Sequence, residues 1–463
     1  MSTPLHSILP QSMVPSDSAR TALLAKLADP DPFATPTREL ADLRLEAAHE
    51  IFDERRRQIP LLQRRADEAG IQDIRALSDL VPLLFSHTTY KSYPTSFVTK
   101  GQWSRLLSWF GTLSAPPVDQ VDVEGVRDID EFIQRLWAAG HVTITTSGTS
   151  GKVSFLHRTQ ADNDLYIAYM SRHYGWPGKV TPARNLHFFM LAPKFGPYML
   201  MTATRMYLPV FARPDSQHWL TEKPLSVAFI MKAAEMRQRM GDGSARPEEI
   251  ADFEMHAKAQ AEETAAAFNR ISDQVFALRA EPMMLISQWA MLWRLMQRAR
   301  QLGIGDGEFS SGTIVSGGGG LKGLNLPPDY EAQIRQFLGP VLLRGGYGMS
   351  EMSVAFPRCE ARRYHTVPWI VPLMLNASGE ELLDASHGLV EGRFGFLDVS
   401  LAARWGGMIT GDKITMDFGP TCPCGRPGPT VLPTITRYSD LGEEDKIGCA
   451  GTLEAYIRGS LAT

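Results

Sequence analysis

The sequence predicts an α/β fold with a substantial parallel component, and three observations predict it. Apolar, β-branched runs at 141–146, 312–321 and 341–351 each run into a glycine-rich turn. Long stretches with helical spacing lie before and between them. From 375 to 436 short β-type segments alternate with Gly/Pro turns, the pattern of a smaller β-rich lobe.

Residues 1–30 are polar and proline-punctuated, a loose arm. Leu40, Leu43, Leu45, Ala48 and Ile51 recur near helical spacing, so 37–80 is expected to be helical. Residues 80–94 predict a buried turn and an extended connection, and 128–139 a short helix. The runs at 141–146 and 186–191 stand about forty residues apart, the spacing of a strand–helix–strand unit. Residues 225–300 are expected to be helical throughout, including the Met/Trp-rich stretch 283–296. In parallel sheets ligands gather at the carboxyl ends of strands, where the three glycine-rich turns are expected.

Bulk properties exclude several classes. The 463 residues predict more than one lobe. With 47 basic against 51 acidic residues, net charge −4, no basic excess marks a nucleic-acid or membrane-surface binder. The first residues lack the basic start and apolar run of a signal peptide. The longest apolar candidates, such as 367–375, are broken by prolines, so no bilayer span is expected. A cytoplasmic protein is the expectation, and in that setting Cys359, Cys422, Cys424 and Cys449 are not expected to form disulfides.

Three motifs carry chemistry. Thr145-Thr146-Ser147-Gly148-Thr149-Ser150-Gly151-Lys152 offers hydroxyls, backbone N–H groups and a lysine to a phosphate. It is too short for a Walker A loop, and alone it is equally a Ser/Gly linker. Gly345-Gly346-Tyr347-Gly348-Met349-Ser350-Glu351 joins an aromatic able to stack on a base, a hydroxyl for a phosphate and a carboxylate for Mg2+. Alone it is also a buried turn with a structural tyrosine. Thr410-Gly411-Asp412 places an aspartate on a tight turn, where it can accept from ribose hydroxyls.

In this order and spacing, over about residues 80–440, the motifs resemble those of the adenylate-forming superfamily of acyl-CoA synthetases, adenylation domains and luciferases. The nearest resemblance is to its phenylacetate-CoA ligase-like branch. The resemblance implies a large adenylation domain of mixed sheets layered with helices over 1–436, its β-rich lobe at about 365–436. It implies that Thr146, Ser147, Gly148, Thr149, Ser150, Gly151 and Lys152 wrap the β- and γ-phosphates of ATP. Tyr347, Gly348 and Met349, with Gly317, Gly318 and Gly319, would lie beside adenine. Ser350 would contact the α-phosphate, Glu351 would hold Mg2+, and Asp412 with Arg437 would bind the ribose. Gly346, His187, Phe195 and Tyr198 would line the pocket of an acid, expected to be aromatic. Ordinary core packing is an equal alternative for the last three.

The implied reaction is attack of a carboxylate on the α-phosphorus of ATP, giving an acyl-AMP and pyrophosphate. Its partners would be a small-molecule acid and then a carrier protein, CoA or an amine, and a homodimer is compatible with the sequence. The competing readings are an acyl-CoA ligase, an enzyme that activates nitrite to diazotise an aryl amine, and a nucleotide-binding subunit without turnover.

Cys359, His365, Cys422 and Cys424 form C-x5-H and C-x-C-G, three thiolates and an imidazole suited to a structural Zn2+. Four unrelated residues in a reducing cell are the alternative. One family feature is missing. The superfamily's lid follows a G-R-x-D hinge; here the stretch is Thr436-Arg437-Tyr438-Ser439-Asp440. The residues from 437 to 463 are expected to be a short tail in place of the lid, with Lys446 the candidate for the lid's lysine.

Overall fold

The computed structural model describes residues 18–146, 152–318 and 326–441. Gly319, Lys446, Cys449 and the loop residues Ser147, Gly148, Thr149, Ser150 and Gly151 lie outside them. The described residues divide into two compact units. One combines 18–146, 152–172 and 347–441; the other combines 173–318 and 326–346.

The first unit begins with helices Thr37–Arg56 and Pro60–Ala69. Of the stripe expected from spacing, Leu40, Ala48 and Ile51 are buried and Leu43 and Leu45 are half-buried. Strands β1 (Val142–Thr146) and β2 (Ser154–Arg158) form an antiparallel hairpin. The first motif therefore begins at the end of an antiparallel strand, not of a parallel strand as expected. Its sequence permits both, because β-branched runs do not encode the direction of their partner.

The second unit is built on a five-stranded, all-parallel sheet. Its strands are β3 (Leu186–Pro193), β4 (Ala212–Thr221), β5 (Met283–Gln288), β6 (Ile314–Gly318) and β7 (Leu342–Arg344), in the order β4-β3-β5-β6-β7. β5 corrects the expectation of unbroken helix over 225–300. Met283–Ile286 is fully buried, and a short all-apolar run gives no period to separate strand from buried helix. Helices Pro247–Ala277 and Trp289–Gln301 flank β5 in sequence. Phe268, Ile271, Val275 and Phe276 of the first form a buried stripe packed with Leu285, Leu292, Val315 and Phe337. Most residues of that helix before Ala267 are exposed.

The expected β-rich lobe returns the chain to the first unit. β8 (Tyr364–His365), β9 (Ile370–Leu375), β10 (Leu389–Asp398), β11 (Gly407–Asp417) and β12 (Thr430–Arg437) pair antiparallel in the order β8-β12-β11-β10-β9. Phe85–Ser86 adds a short parallel piece to β11. Trp369, Phe394, Phe396 and Trp405 are buried in this unit's core. The α/β class with a substantial parallel component is thus the observed class. Among the described residues no helix is long and apolar enough to cross a membrane.

Candidate active site

Thr410-Gly411-Asp412 lies inside β11, not on a tight turn. Arg393 pairs with Lys413 and Gly395 with Ile409, so three residues of β11 bulge opposite Phe394. A bulge re-aims side chains. Here Thr410 Oγ1 donates to the Phe394 carbonyl at 2.8 Å and accepts from Asp412 N–H at 3.1 Å. The β11–β12 register sets Asp412 opposite Arg437, and Arg437 Nε lies 3.5 Å from Asp412 Oδ1. Tyr347 Oη donates to Asp412 Oδ2 at 2.9 Å. Burial, reinforced by the Asp412 charge, pushes the Tyr347 hydroxyl well above its ordinary value, so it remains a donor.

Tyr347 is 6% exposed, its ring against Phe394, Phe356 and Tyr364. Through its hydroxyl it holds Asp412. Gly348 also has a structural reason. A Cβ there would stand 2.7 Å from Ala355 Cβ and 2.9 Å from its Cα.

Glu351 closes the motif. Burial raises its carboxyl above the ordinary value; Arg404 and Arg437 pull it down and Asp412 pushes it up. Glu351, Asp412 and Arg437 thus share one electrostatic neighbourhood. Met352 N–H bonds the Met349 carbonyl at 3.1 Å, closing a turn, and Ser350 at its apex is half-buried. From the first motif, Thr146 ends β1 and is half-buried. Lys152 Nζ donates to the Tyr93 carbonyl at 2.8 Å and lies 5.6 Å from the centre of its ring.

In the second unit Gly317 and Gly318 end β6, as expected of a glycine turn at a parallel strand's carboxyl end. Phe195 and Tyr198 follow β3, and Lys194 and Arg205 lie 5.2 and 5.1 Å from the Phe195 ring centre. Gly346 is exposed. His187 does not join Phe195 and Tyr198. It stands at the amino end of β3, about 20 Å of strand away. There Nδ1 meets Ser216 Oγ at 2.7 Å and Nε2 meets Glu281 Oε2 at 2.9 Å. The Ser216–His187–Glu281 row has the connectivity of a nucleophile, base and acid. Ser216 is 7% exposed, and the row satisfies buried polar groups.

Two turns bring the four candidate zinc ligands together. Arg362 N–H bonds the Cys359 carbonyl and Gly425 N–H bonds the Cys422 carbonyl, at 2.9 and 2.8 Å. Arg362 and Gly425 adopt positive φ, 62° and 89°, so that each turn folds back on its cysteine. His365 arrives on β8. The four ligand atoms lie within 4.8 Å of one another. Cys359 and Cys422 Sγ are 3.9 Å apart, and Cys424 Sγ is 3.4 Å from His365 Nε2. A tetrahedron with Zn–S bonds of about 2.3 Å places its sulfurs about 3.8 Å apart, so this set fits zinc. Burial pushes the Cys422 thiol up to about 12 and the His365 imidazole down to about 4. Arg426 bonds Asp31 at 2.8 Å and Glu360 at 3.1 Å, and Phe33 meets the His365 ring edge-on.

Sequence reasoning missed Arg158, Arg404 and Asp398, all buried beneath the Glu351 turn. An isolated arginine in an apolar stretch carries no motif, and only its burial reveals it.

No family model matches this sequence, and no curated protein sequence matches it. Among solved structures it is similar to an ATP-bound RpMatB–BxBclM chimera, B1, at 14% identity and TM-score 0.37 over 64% of this chain and 48% of that one. ATP-bound chimera B3 gives 14% and 0.35 over 63% and 46%. The Vibrio cholerae adenylation domain AlmE, in complex with glycyl-adenosine-5'-phosphate, gives 11% and 0.35 over 63% and 46%. The chain spans about half the length of each of these proteins. The functional reading stands on this chain's own side chains.

Proposed function

We propose that this chain is an ATP-dependent adenylate-forming enzyme that activates a carboxylic acid, of aromatic type, to an acyl-AMP. The observation that carries the reading is the Tyr347–Asp412–Arg437 chain beside Glu351. Residues sixty-five positions apart are joined at 2.9 Å, and motifs that are weak singly meet in one neighbourhood. Asp412, held by Tyr347 and Arg437, would accept from ribose hydroxyls. Ser350 donates to the α-phosphate, and Lys152 supplies charge to the leaving pyrophosphate. Glu351 would hold Mg2+, which neutralises phosphate charge when bound.

In the step itself a carboxylate oxygen attacks the α-phosphorus, and the bond to the β-phosphate oxygen breaks in line. The products are acyl-AMP and pyrophosphate. The acid is already ionised at neutral pH, so no general base is required. Cys359, His365, Cys422 and Cys424 would hold Zn2+ as a structural clasp, not a reactant.

The test is acid-dependent exchange of labelled pyrophosphate into ATP, across aryl and alkyl acids with nitrite plus an aryl amine in one well. Exchange with one acid class is expected. Exchange with nitrite alone would transfer the chain to the diazotising reading, and ATP binding without any exchange would make it a nucleotide-binding subunit.

A further inference from the structure

We propose that Arg158 and Arg404 are positioning residues that hold the Ser350–Glu351–Met352 turn by its backbone carbonyls and thereby aim the Glu351 carboxylate. The inference rests on the proposed roles of Glu351 toward Mg2+ and Ser350 toward the α-phosphate. Both arginines are buried, at 0% and 1% exposure. Arg158, the last residue of β2, donates through Nη2 to the Met352 carbonyl at 2.6 Å and the Ser350 carbonyl at 3.4 Å. Arg404 donates through Nη2 to the Glu351 carbonyl and through Nη1 to the His157 carbonyl, the latter at 2.9 Å. Three consecutive carbonyls of the turn therefore face two guanidiniums. Asp398 accepts the next N–H, that of Ser353, at 2.7 Å.

The peptide planes around Glu351 are thus fixed from below, leaving its side-chain torsions as its main freedom. A buried guanidinium is an expensive way to satisfy carbonyls, since charge is desolvated for dipoles. Arg158 remains a cation at neutral pH even though burial lowers it to about 10, and Asp162 and Asp398 supply opposing charge. Arg404 is itself anchored. Ser114 bridges it, Ala115 N–H bonds the Ala403 carbonyl, and Trp405 Nε1 donates to the Leu83 carbonyl at 3.0 Å. What the arrangement gains is a rigid turn with a second anion-attracting charge beneath it.

Arg404→Lys keeps the charge but cannot span the Glu351 and His157 carbonyls with one planar fork. Arg404→Met keeps only the apolar stem. Two measurements on the full chain decide the matter. The first is amide hydrogen exchange without ligand. Exchange at Met352 and Ser353 is expected to rise at least tenfold in both variants, with the β10 amides unchanged. The second is the Mg2+ dependence of pyrophosphate release. Arg404→Lys is expected to lower kcat at least tenfold and to raise the half-saturating Mg2+ concentration, with KM for ATP within threefold. A merely structural role would lower the folded fraction and leave that Mg2+ requirement unchanged. Unchanged exchange in the turn, or a Lys variant with wild-type Mg2+ dependence, overturns the inference. A wild-type chain that releases no pyrophosphate while the variants still loosen the turn overturns the functional reading and leaves the holding role standing.

Discussion

Glu351 carries its charge where burial opposes it. Its raised carboxyl retains a proton in the folded chain at pH values where the unfolded chain has released it. The folded state then binds more protons than the unfolded one, so Glu351 makes stability fall as pH rises through that window. In the ligand-free chain its charge is therefore a liability at pH 7. Glu351→Gln is expected to leave Tm at pH 7 unchanged or higher, and any gain should shrink below the ordinary carboxylate range; thermal melts at both pH values read this. The same variant is expected to lose Mg2+-dependent pyrophosphate release by about a hundredfold or more. Tyr347→Phe removes one hydrogen bond to a charged acceptor, worth about 1.5–3 kcal/mol. It should raise KM for ATP about tenfold or more, measured by steady-state kinetics; an unchanged KM would detach Asp412 from the ribose. Tyr347, Glu351 and Asp412 were legible because each sits in a glycine-marked motif. Arg158 and Arg404 were not, because their role is made only when strands remote in sequence bury them together.

At the scale of elements, the bulge of β11 and the two cysteine turns do most to shape the first unit. The bulge converts a commonplace Thr-Gly-Asp into an aspartate paired with both Tyr347 and Arg437. The cysteine turns join β8 to the β11–β12 connection through four side chains. Metal analysis is expected to give one zinc per chain. Cys422→Ala is expected to lose the metal and lower Tm by about 5 °C or more, given roughly 2–4 °C per kcal/mol in a unit of this size. A metal-free chain with an unshifted Tm would mean that the cluster is four thiol and imidazole groups in ordinary packing. Helices 37–56 and 60–69 and the β-rich lobe were legible from period and turn residues. β5 was not, since burial on both faces erases the alternation that marks a strand. The partner of β1 was not either, because its direction is settled by the strand on the far side of the turn.

At the scale of the whole molecule, the chain interleaves its units. The first is closed by segments from both sides of the second, so length alone could not place the boundary. The sequence carried the α/β class and marked the motifs proposed to face the nucleotide. It did not carry which glycines serve packing, as Gly348 does against Ala355. If the first unit holds ATP as proposed, saturating Mg-ATP at about a hundred times Kd should add about 2.7 kcal/mol of stability. Differential scanning calorimetry reads that as a Tm rise, which Asp412→Ala should abolish.

The central claim is attack by a carboxylate oxygen on the α-phosphorus, and isotope transfer tests it most directly. An acid that supports pyrophosphate exchange is supplied with both carboxylate oxygens as 18O, with Mg-ATP and hydroxylamine as acceptor. The account predicts AMP carrying one 18O, left on its phosphate when the acyl group departs, and unlabelled pyrophosphate. AMP without label, or ADP in place of AMP, would contradict it.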